Sequence, residues 1–290
     1  MNPSRAQRAA PAVLLAGAML WGLNWLPLRH FADAGLGGLT IAAASYGAVG
    51  MLALPALWLQ RASWRGAPRG LILIALLGGW ANAAFVDALV LGDVVRVMLL
   101  FYLAPVWGVL AGRVFLGEAI DSRRAAAVAL AVIGAFVLLG VPAPGAAGHG
   151  TATADLLALS GGLAFALGNV ATRAAGELPL ASKTAAIFVG CAVLATALLV
   201  GGAQAPLHAP AAPWGEVLLY ALTWLVAATA ATQFGVSHMQ AGRAAVLLIA
   251  ELVAAVASAT LLGVATPHRS DWLGGALIVA GALLEAGGPP

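Results

Sequence analysis

The residues best able to do chemistry in this chain are few and lie inside apolar surroundings. Glu251 sits in the middle of a long apolar run, AAVLLIAELVAAVASATLLG. A carboxylate at the centre of a membrane helix costs about 2.5–3.5 kcal/mol on insertion scales, so it needs a water-filled cavity, a cationic partner or a proton. Two readings stay open. Glu251 binds an ammonium group or carries a proton, or it is structural and hydrogen-bonded to its neighbours. Asp87 and Arg96 flank a short break at Gly92–Asp93 and can face each other, as a structural ion pair or as a gate. Asn24, Asn82, Asn169 and Gln233 are amides. They can satisfy a zwitterion without adding net charge, or hydrogen-bond one apolar segment to another. Amides suit an amino-acid-like zwitterion better than a phosphate, which calls for several cationic groups. Trp21, Trp80, Tyr102, Trp107 and Phe165 offer rings that stack on aromatic or cationic groups.

Other chemistries find no support. There is no GxSxG, no glycine-rich loop leading to a lysine, and no His/Asp/Glu cluster at metal-ligand spacing. The stretch GLGG at Gly35–Gly38 lacks a strand–turn–helix context, so it is no dinucleotide fingerprint. Cys191 is the single cysteine, which excludes a disulfide within the chain and a cysteine-rich metal site. No catalytic residue, metal or cofactor is expected. His238 reads as a capping or interface residue or as a proton relay.

The elements that must position these residues follow from composition. The chain is 62% hydrophobic and 9% charged, against about 25% charged in a soluble domain. So few charges cannot make a water-facing surface, and the lipid bilayer must be the main partner. A net charge of +3 from scattered residues also excludes a nucleic-acid-binding patch. A membrane helix needs about 20 mostly apolar residues, and ten such spans are predicted: 10–29, 39–59, 70–91, 93–113, 122–141, 153–173, 184–203, 214–237, 242–262 and 270–286. Arg5 and Arg8 before the first run resemble a signal peptide, but the run is long and many follow, so it reads as an uncleaved span. Linkers are expected at Gln60–Arg69, Gly117–Arg124, Pro142–Gly150, Gln204–Pro213 and Thr266–Asp271. With the amino terminus inside, 11 of the 14 basic residues fall at inner ends and only Arg29, Arg96 and Arg269 at outer ones. Both termini are therefore expected to be cytoplasmic. The Gly-Gly-Pro-Pro end follows closely on the last span, and a further cytoplasmic tail is compatible with it. Trp25, Trp58, Trp64, Trp214 and Trp272 suit an interfacial belt.

The two halves, 1–146 and 147–290, resemble each other. RVMLLFYLAPVWGVLAGRVFLGE from Arg96 aligns with RAAVLLIAELVAAVASATLLGVA from Arg243, and Gly134 falls on Gly281 at the same offset. WGLNWLPLR from Trp21 aligns loosely with FALGNVATR from Phe165. Five spans per half is an odd number, so the repeats are inverted across the membrane, a transporter architecture with its binding site near the midplane. Pro105 should kink the fourth span by removing a hydrogen bond, and a hinge there is a further expectation. Ala104, Gly108 and Gly112, and likewise Ala250, Ala254 and Ser258, form small-residue stripes for close packing.

These features resemble the drug/metabolite transporter superfamily in its ten-helix EamA-type branch. The resemblance rests on WGLNW, on YLAPVWGVLAGRVFLGE (Tyr102 to Glu118) and on LIAELVAAVASATLLGV (Leu248 to Val264), and it covers essentially the whole chain. Within that branch the chain is most similar to the YddG-type aromatic amino acid exporters, through Tyr102-Leu103-x-Pro105 and a histidine at His238. Leu252 stands where the family often has proline, and Val264 where it often has glutamate. The resemblance implies an all-α inner-membrane exporter that works by alternating access. Its cavity would lie between spans one, three, four, six, eight and nine, with spans five and ten peripheral. The substrate would be a small polar metabolite, with aromatic amino acids favoured over threonine or homoserine, or cationic drugs. The substrate-binding candidates are Trp21, Asn24, Trp80, Asn82, Tyr102, Phe165, Asn169, Gln233 and Glu251; the gating or hinge candidates are Asp87, Arg96 and Pro105. A channel or lipid scramblase and an intramembrane enzyme are the readings from other classes. Oligomeric state is not legible.

Overall fold

The computed structural model describes residues 3–66, 68–117, 120–139, 149–203, 212–239 and 241–286. All regular secondary structure among them is helical. The linkers expected at Pro142–Gly150 and Gln204–Pro213, the boundary between the halves at 146/147 and the Gly-Gly-Pro-Pro end lie largely or wholly outside the described residues.

The helices are α1 (Pro3–Gly22), α2 (Trp25–Asp33), α3 (Gly38–Leu59), α4 (Arg61–Arg65), α5 (Pro68–Leu91), α6 (Val94–Phe101) and α7 (Ala104–Leu116). They continue with α8 (Ser122–Leu139), α9 (His149–Ala174), α10 (Leu180–Val200), α11 (Trp214–Leu219), α12 (Val226–Ser237), α13 (Ala241–Leu261) and α14 (Arg269–Ala286). A π-helical turn, Tyr220–Leu225, joins α11 to α12. Seven stretches are long and apolar enough to cross a membrane: Arg8–Asp33, Gly38–Leu59, Pro68–Leu91, Val94–Phe115, Ala152–Ala174, Leu180–Val200 and Trp214–Val236. Leu247–Leu261 in α13 is a shorter apolar stretch. The outward surfaces are those of a chain solvated by lipid. Met51, Leu52, Leu59, Val114, Phe115 and Phe136 are all more than 60% exposed, an arrangement that water would penalise by roughly 25 cal/mol per Å² of apolar area.

Three of these stretches are broken, two of them by proline. Pro27 has no N–H for the Leu23 carbonyl, and its ring crowds that carbonyl. The Leu23 carbonyl accepts from Leu26 N–H instead, at 3.1 Å, and α1 separates from α2 at Leu23–Asn24. Pro105 acts in the same way one turn earlier, on Phe101. There the chain turns through Leu103 N–H to Leu100 at 3.2 Å and Val106 N–H to Leu103 at 2.9 Å, dividing α6 from α7. The π turn YALTWL contains neither Gly nor Pro.

Close helix packing falls where a glycine removes a side chain. A Cβ on Gly79 of α5 would lie 2.6 Å from Cys191 N of α10, one on Gly134 of α8 would lie 2.6 Å from the Gly274 carbonyl of α14, and one on Gly22 would strike the Glu251 carbonyl of α13. Of the two expected small-residue stripes, the second is used: Ala254 lies against Gly22. At Gly108 in the first there is open space within 4 Å. The LG motif common to both halves has a local reason. Gly117 (φ 69°) and Gly263 (φ 68°) both stand in the left-handed region just past α7 and α13, where a Cβ is strained and glycine ends a helix.

The packing is reciprocal between the halves. α1 packs on α12 and α13, as α9 packs on α5 and on α6–α7; α3 packs on α10, and α8 on α14. The ends of α2 and α5 and the starts of α3, α6, α9 and α11 form one face of the molecule, through Asp87 against Gly38, Gly92 against Ala154, and His30 against Glu216. The end of α10 returns to this face, because Ser182 at its start bonds Gln60 at the far end of α3, and Asp271 brings the start of α14 to Arg96.

Candidate functional site: a polar layer at the helix breaks

Polar groups collect at the breaks between α1 and α2 and between α6 and α7, and at the π turn between α11 and α12. The chain has three tyrosines, and each donates a hydrogen bond inside the apolar bundle. Tyr102 donates to the Leu248 carbonyl at 2.9 Å, Tyr220 to Asn24 Oδ1 at 2.7 Å, and Tyr46 to Asn82 Oδ1 at 2.8 Å. A phenol buried in apolar surroundings must find such a partner. That rule is the signal by which Tyr46 and Tyr220, absent from the sequence expectations, could have been found.

Glu251 is half-buried on α13, and its carboxyl lies near enough to the Tyr102 hydroxyl for the two groups to interact electrostatically. Pro105 creates this contact indirectly: by ending α6, it sets Tyr102 in the break, facing α13. The Tyr102 hydroxyl proton goes to the Leu248 carbonyl, so a hydrogen bond between the two side chains requires a proton on Glu251, donated to the Tyr102 oxygen. On the other side the Glu251 backbone is pressed against Gly22, one residue after Trp21. Trp21 is half-buried against the main core. Trp25, expected in an interfacial belt, is instead buried and donates to Ser258 Oγ at 3.0 Å, because it opens α2 directly after the break. Trp58, Trp214 and Trp272 are exposed as expected of that belt; Trp64 is half-buried and donates to the Leu57 carbonyl.

Asn24 is fully buried. Its carbonyl oxygen takes the Tyr220 proton, while its amide nitrogen has no hydrogen-bond partner. Trp224, in the π turn, donates to the Leu20 carbonyl at 3.0 Å. The first and eighth stretches are thus joined at their irregular turns.

The other candidates form a second group on α5 and α9. Asn82 accepts from Tyr46 and donates to the Gly78 carbonyl at 2.8 Å. Trp80 donates to Ser160 Oγ at 3.3 Å. Phe165 is exposed but packs its ring at a tilt on Phe101, their centroids 5.6 Å apart. Asn169, one turn further along α9, is exposed, and Gln233 on α12 is half-buried. Trp107 has a buried indole N–H without a partner and lines an apolar cleft with Leu163 and Leu167 of α9. A small pocket between α7, α8 and α14 is lined by Tyr102, Pro105 and Ile278. Glu251 and Asn82 line neither space.

On the face formed by these helix ends Arg96 forks onto Asp155 of α9, with Nε to Oδ1 and Nη2 to Oδ2 both 2.8 Å. Asp155 was not anticipated. Asp93 caps α6 by accepting from Arg96 N–H at 3.0 Å, and Asp271 adds its charge nearby. Asp87 is buried against the start of α3. His30 and Glu216 meet at 2.7 Å, both exposed. His238 caps its own helix through the Phe234 carbonyl at 2.8 Å. No group of three or more potential metal ligands occurs among the described residues.

Residues 9–140 match the model of the EamA-like transporter family, a region that ends one residue past α8. No curated protein matches the sequence. Among solved structures, one crystal structure is similar at a TM-score of 0.62, with 20% identity over 96% of each chain. At that identity the likeness is one of fold.

Proposed function

We propose that this chain, a multi-pass helical membrane protein whose first half carries the EamA-like transporter pattern, is a transporter of small solutes. In this reading ten helical stretches form two inverted five-span repeats, with both termini cytoplasmic in the inner membrane. The three stretches beyond the seven long apolar ones are α8, α13 and α14. The reciprocal packing and the matched left-handed glycines after α7 and α13 support the duplication.

One observation carries the functional reading. Glu251 is set beside the break between α6 and α7, near Tyr102, as a half-buried carboxyl in the interior-facing part of α13. A carboxylate in that position gives an ammonium group a counter-charge, and the indole of Trp21 and the ring of Tyr102 lie on helices beside it. The amides Asn24, Asn82, Asn169 and Gln233 add neutral hydrogen-bonding capacity. A small polar metabolite with an amino group fits, with an aromatic amino acid favoured and threonine, homoserine or a cationic drug as rivals. Export by alternating access then takes the solute from a cavity between the repeats to the outer face, where Arg96, Asp87 and the Pro105 break serve the gate.

The test is uptake of radiolabelled tryptophan, phenylalanine and threonine into liposomes holding the purified protein, with protein-free liposomes as control. Saturable aromatic uptake, weakened by Tyr102→Ala or Asn82→Ala, is the expected result. Absence of uptake of all three, with and without a proton gradient, removes the amino acid reading. Ionic current or lipid flipping instead would point to a channel or a scramblase.

A further inference from the structure

The eighth stretch is one helix in sequence and two in its packing. Its outer part, α11 with the π turn, packs on α3 and is tied to α2 through His30 and Glu216. Its inner part, α12, packs on α1 and slightly on α13; among the described residues it has no substantial packing on α3 or α10. Its counterpart in the other half, α5, packs on α3, α9 and α10. The change of partners falls at Tyr220–Leu225, where the backbone leaves the α-helical pattern without a Gly or Pro to cause it. A π turn inside an α-helix frequently marks a functional site, and here it is held from outside, by Tyr220 on Asn24 and Trp224 on the Leu20 carbonyl.

The interface between α1 and α12 also has unmet polar demand. Of the three buried side-chain atoms without a partner among the described residues, Thr232 Oγ1 belongs to it, and a second, Asn24 Nδ2, lies next to it where the break after α1 meets the π turn. Thr232 is pressed on Gly17, where a Cβ would lie 2.9 Å from its hydroxyl. A buried unmatched polar group is costly, and where a native packing keeps one it calls for an explanation.

We infer that α12 is a mobile arm, hinged on the π turn Tyr220–Leu225 and clasped by the Tyr220–Asn24 hydrogen bond, which swings toward α10 to occupy the place that α5 holds in the other half. Tyr220 and Asn24 are then positioning residues. The outer part of the stretch stays with α2 and α3 while the inner part moves. This deepens the alternating-access reading and rests on it for its purpose, but it is tested by distances alone, so a failure of transport and a failure of the hinge are told apart.

The experiment uses the full chain in lipid nanodiscs, with spin labels on cysteines introduced in pairs. Cys191 is fully buried and stays unlabelled. Val236→Cys with Leu180→Cys reads the inner part of the stretch against α10; Leu218→Cys with Val200→Cys reads the outer part. All four positions are exposed. Each pair is measured with and without Tyr220→Phe, which removes the clasp and keeps the ring. The expected result is two inner distance populations, one shorter, whose ratio shifts on Tyr220→Phe while the outer distance is unchanged. A single inner population in both proteins, a ratio that Tyr220→Phe leaves unmoved, or an outer distance that moves in step with the inner one would overturn the hinge.

Discussion

Among the residues, the tyrosines and Glu251 divide the work. Tyr46 and Tyr220 each serve an asparagine oxygen that would otherwise be buried unserved. Hydrogen bonds between membrane helices average about 0.6 kcal/mol and reach about 1.7 kcal/mol. Tyr46→Phe is therefore expected to lower stability in detergent by about 1 kcal/mol, seen as a lower melting temperature, with substrate selectivity unchanged. Glu251 differs in kind, because the hydroxyl nearest to it, that of Tyr102, already gives its proton to the Leu248 carbonyl. If a coupled proton travels on Glu251, Glu251→Gln should abolish the pH dependence of uptake while solute exchange persists. An unchanged pH profile would remove Glu251 from the proton path and leave it as a counter-charge or a structural group.

At the scale of elements, proline and glycine set the geometry. Pro105→Ala restores the N–H that the Phe101 carbonyl lacks, so α6 and α7 can fuse and carry Tyr102 away from α13. The expected effect is a maximal uptake rate lower by about tenfold, equivalent to about 1.4 kcal/mol, with the protein still folded by circular dichroism. The glycines make a paired test of close packing. A Cβ at Gly79 meets the backbone of α10, whereas at Gly108 nothing stands within 4 Å. Gly79→Ala should cost about 1–3 kcal/mol, as overpacking does, and Gly108→Ala should be near neutral. Equal melting temperatures for the two variants would contradict the packing described for α5 and α10.

For the whole molecule, the question is which face looks outward. Ala34 and Ser63 lie exposed at opposite ends of α3. With the amino terminus inside, Ala34→Cys should react with a membrane-impermeant maleimide in intact cells, and Ser63→Cys should react only after permeabilisation. The reverse pattern would invert the topology and turn the face carrying Arg96, Asp155, His30 and Glu216 toward the cytoplasm.

Much of this was legible in the sequence because the bilayer imposes its rule locally. Every stretch must satisfy its own backbone and present apolar side chains to lipid, so the positions of the helices follow from runs of apolar residues, and the break at Pro105 from a missing N–H. Glu251 and Tyr102 stood out for the same reason, as polar groups where none is cheap. What the sequence could not give was partnership. Arg96 forks onto Asp155, 59 positions away, Tyr220 reaches Asn24 from the other half, and Trp25 turns inward to Ser258. Those contacts depend on how helices distant in sequence pack, and only the tertiary structure decides that. The π turn is the clearest case: Thr223 back-bonds the Leu219 carbonyl within the turn, a device available to threonine in any helix, and the contacts that hold the turn, Tyr220 to Asn24 and Trp224 to the Leu20 carbonyl, come from the distant first stretch.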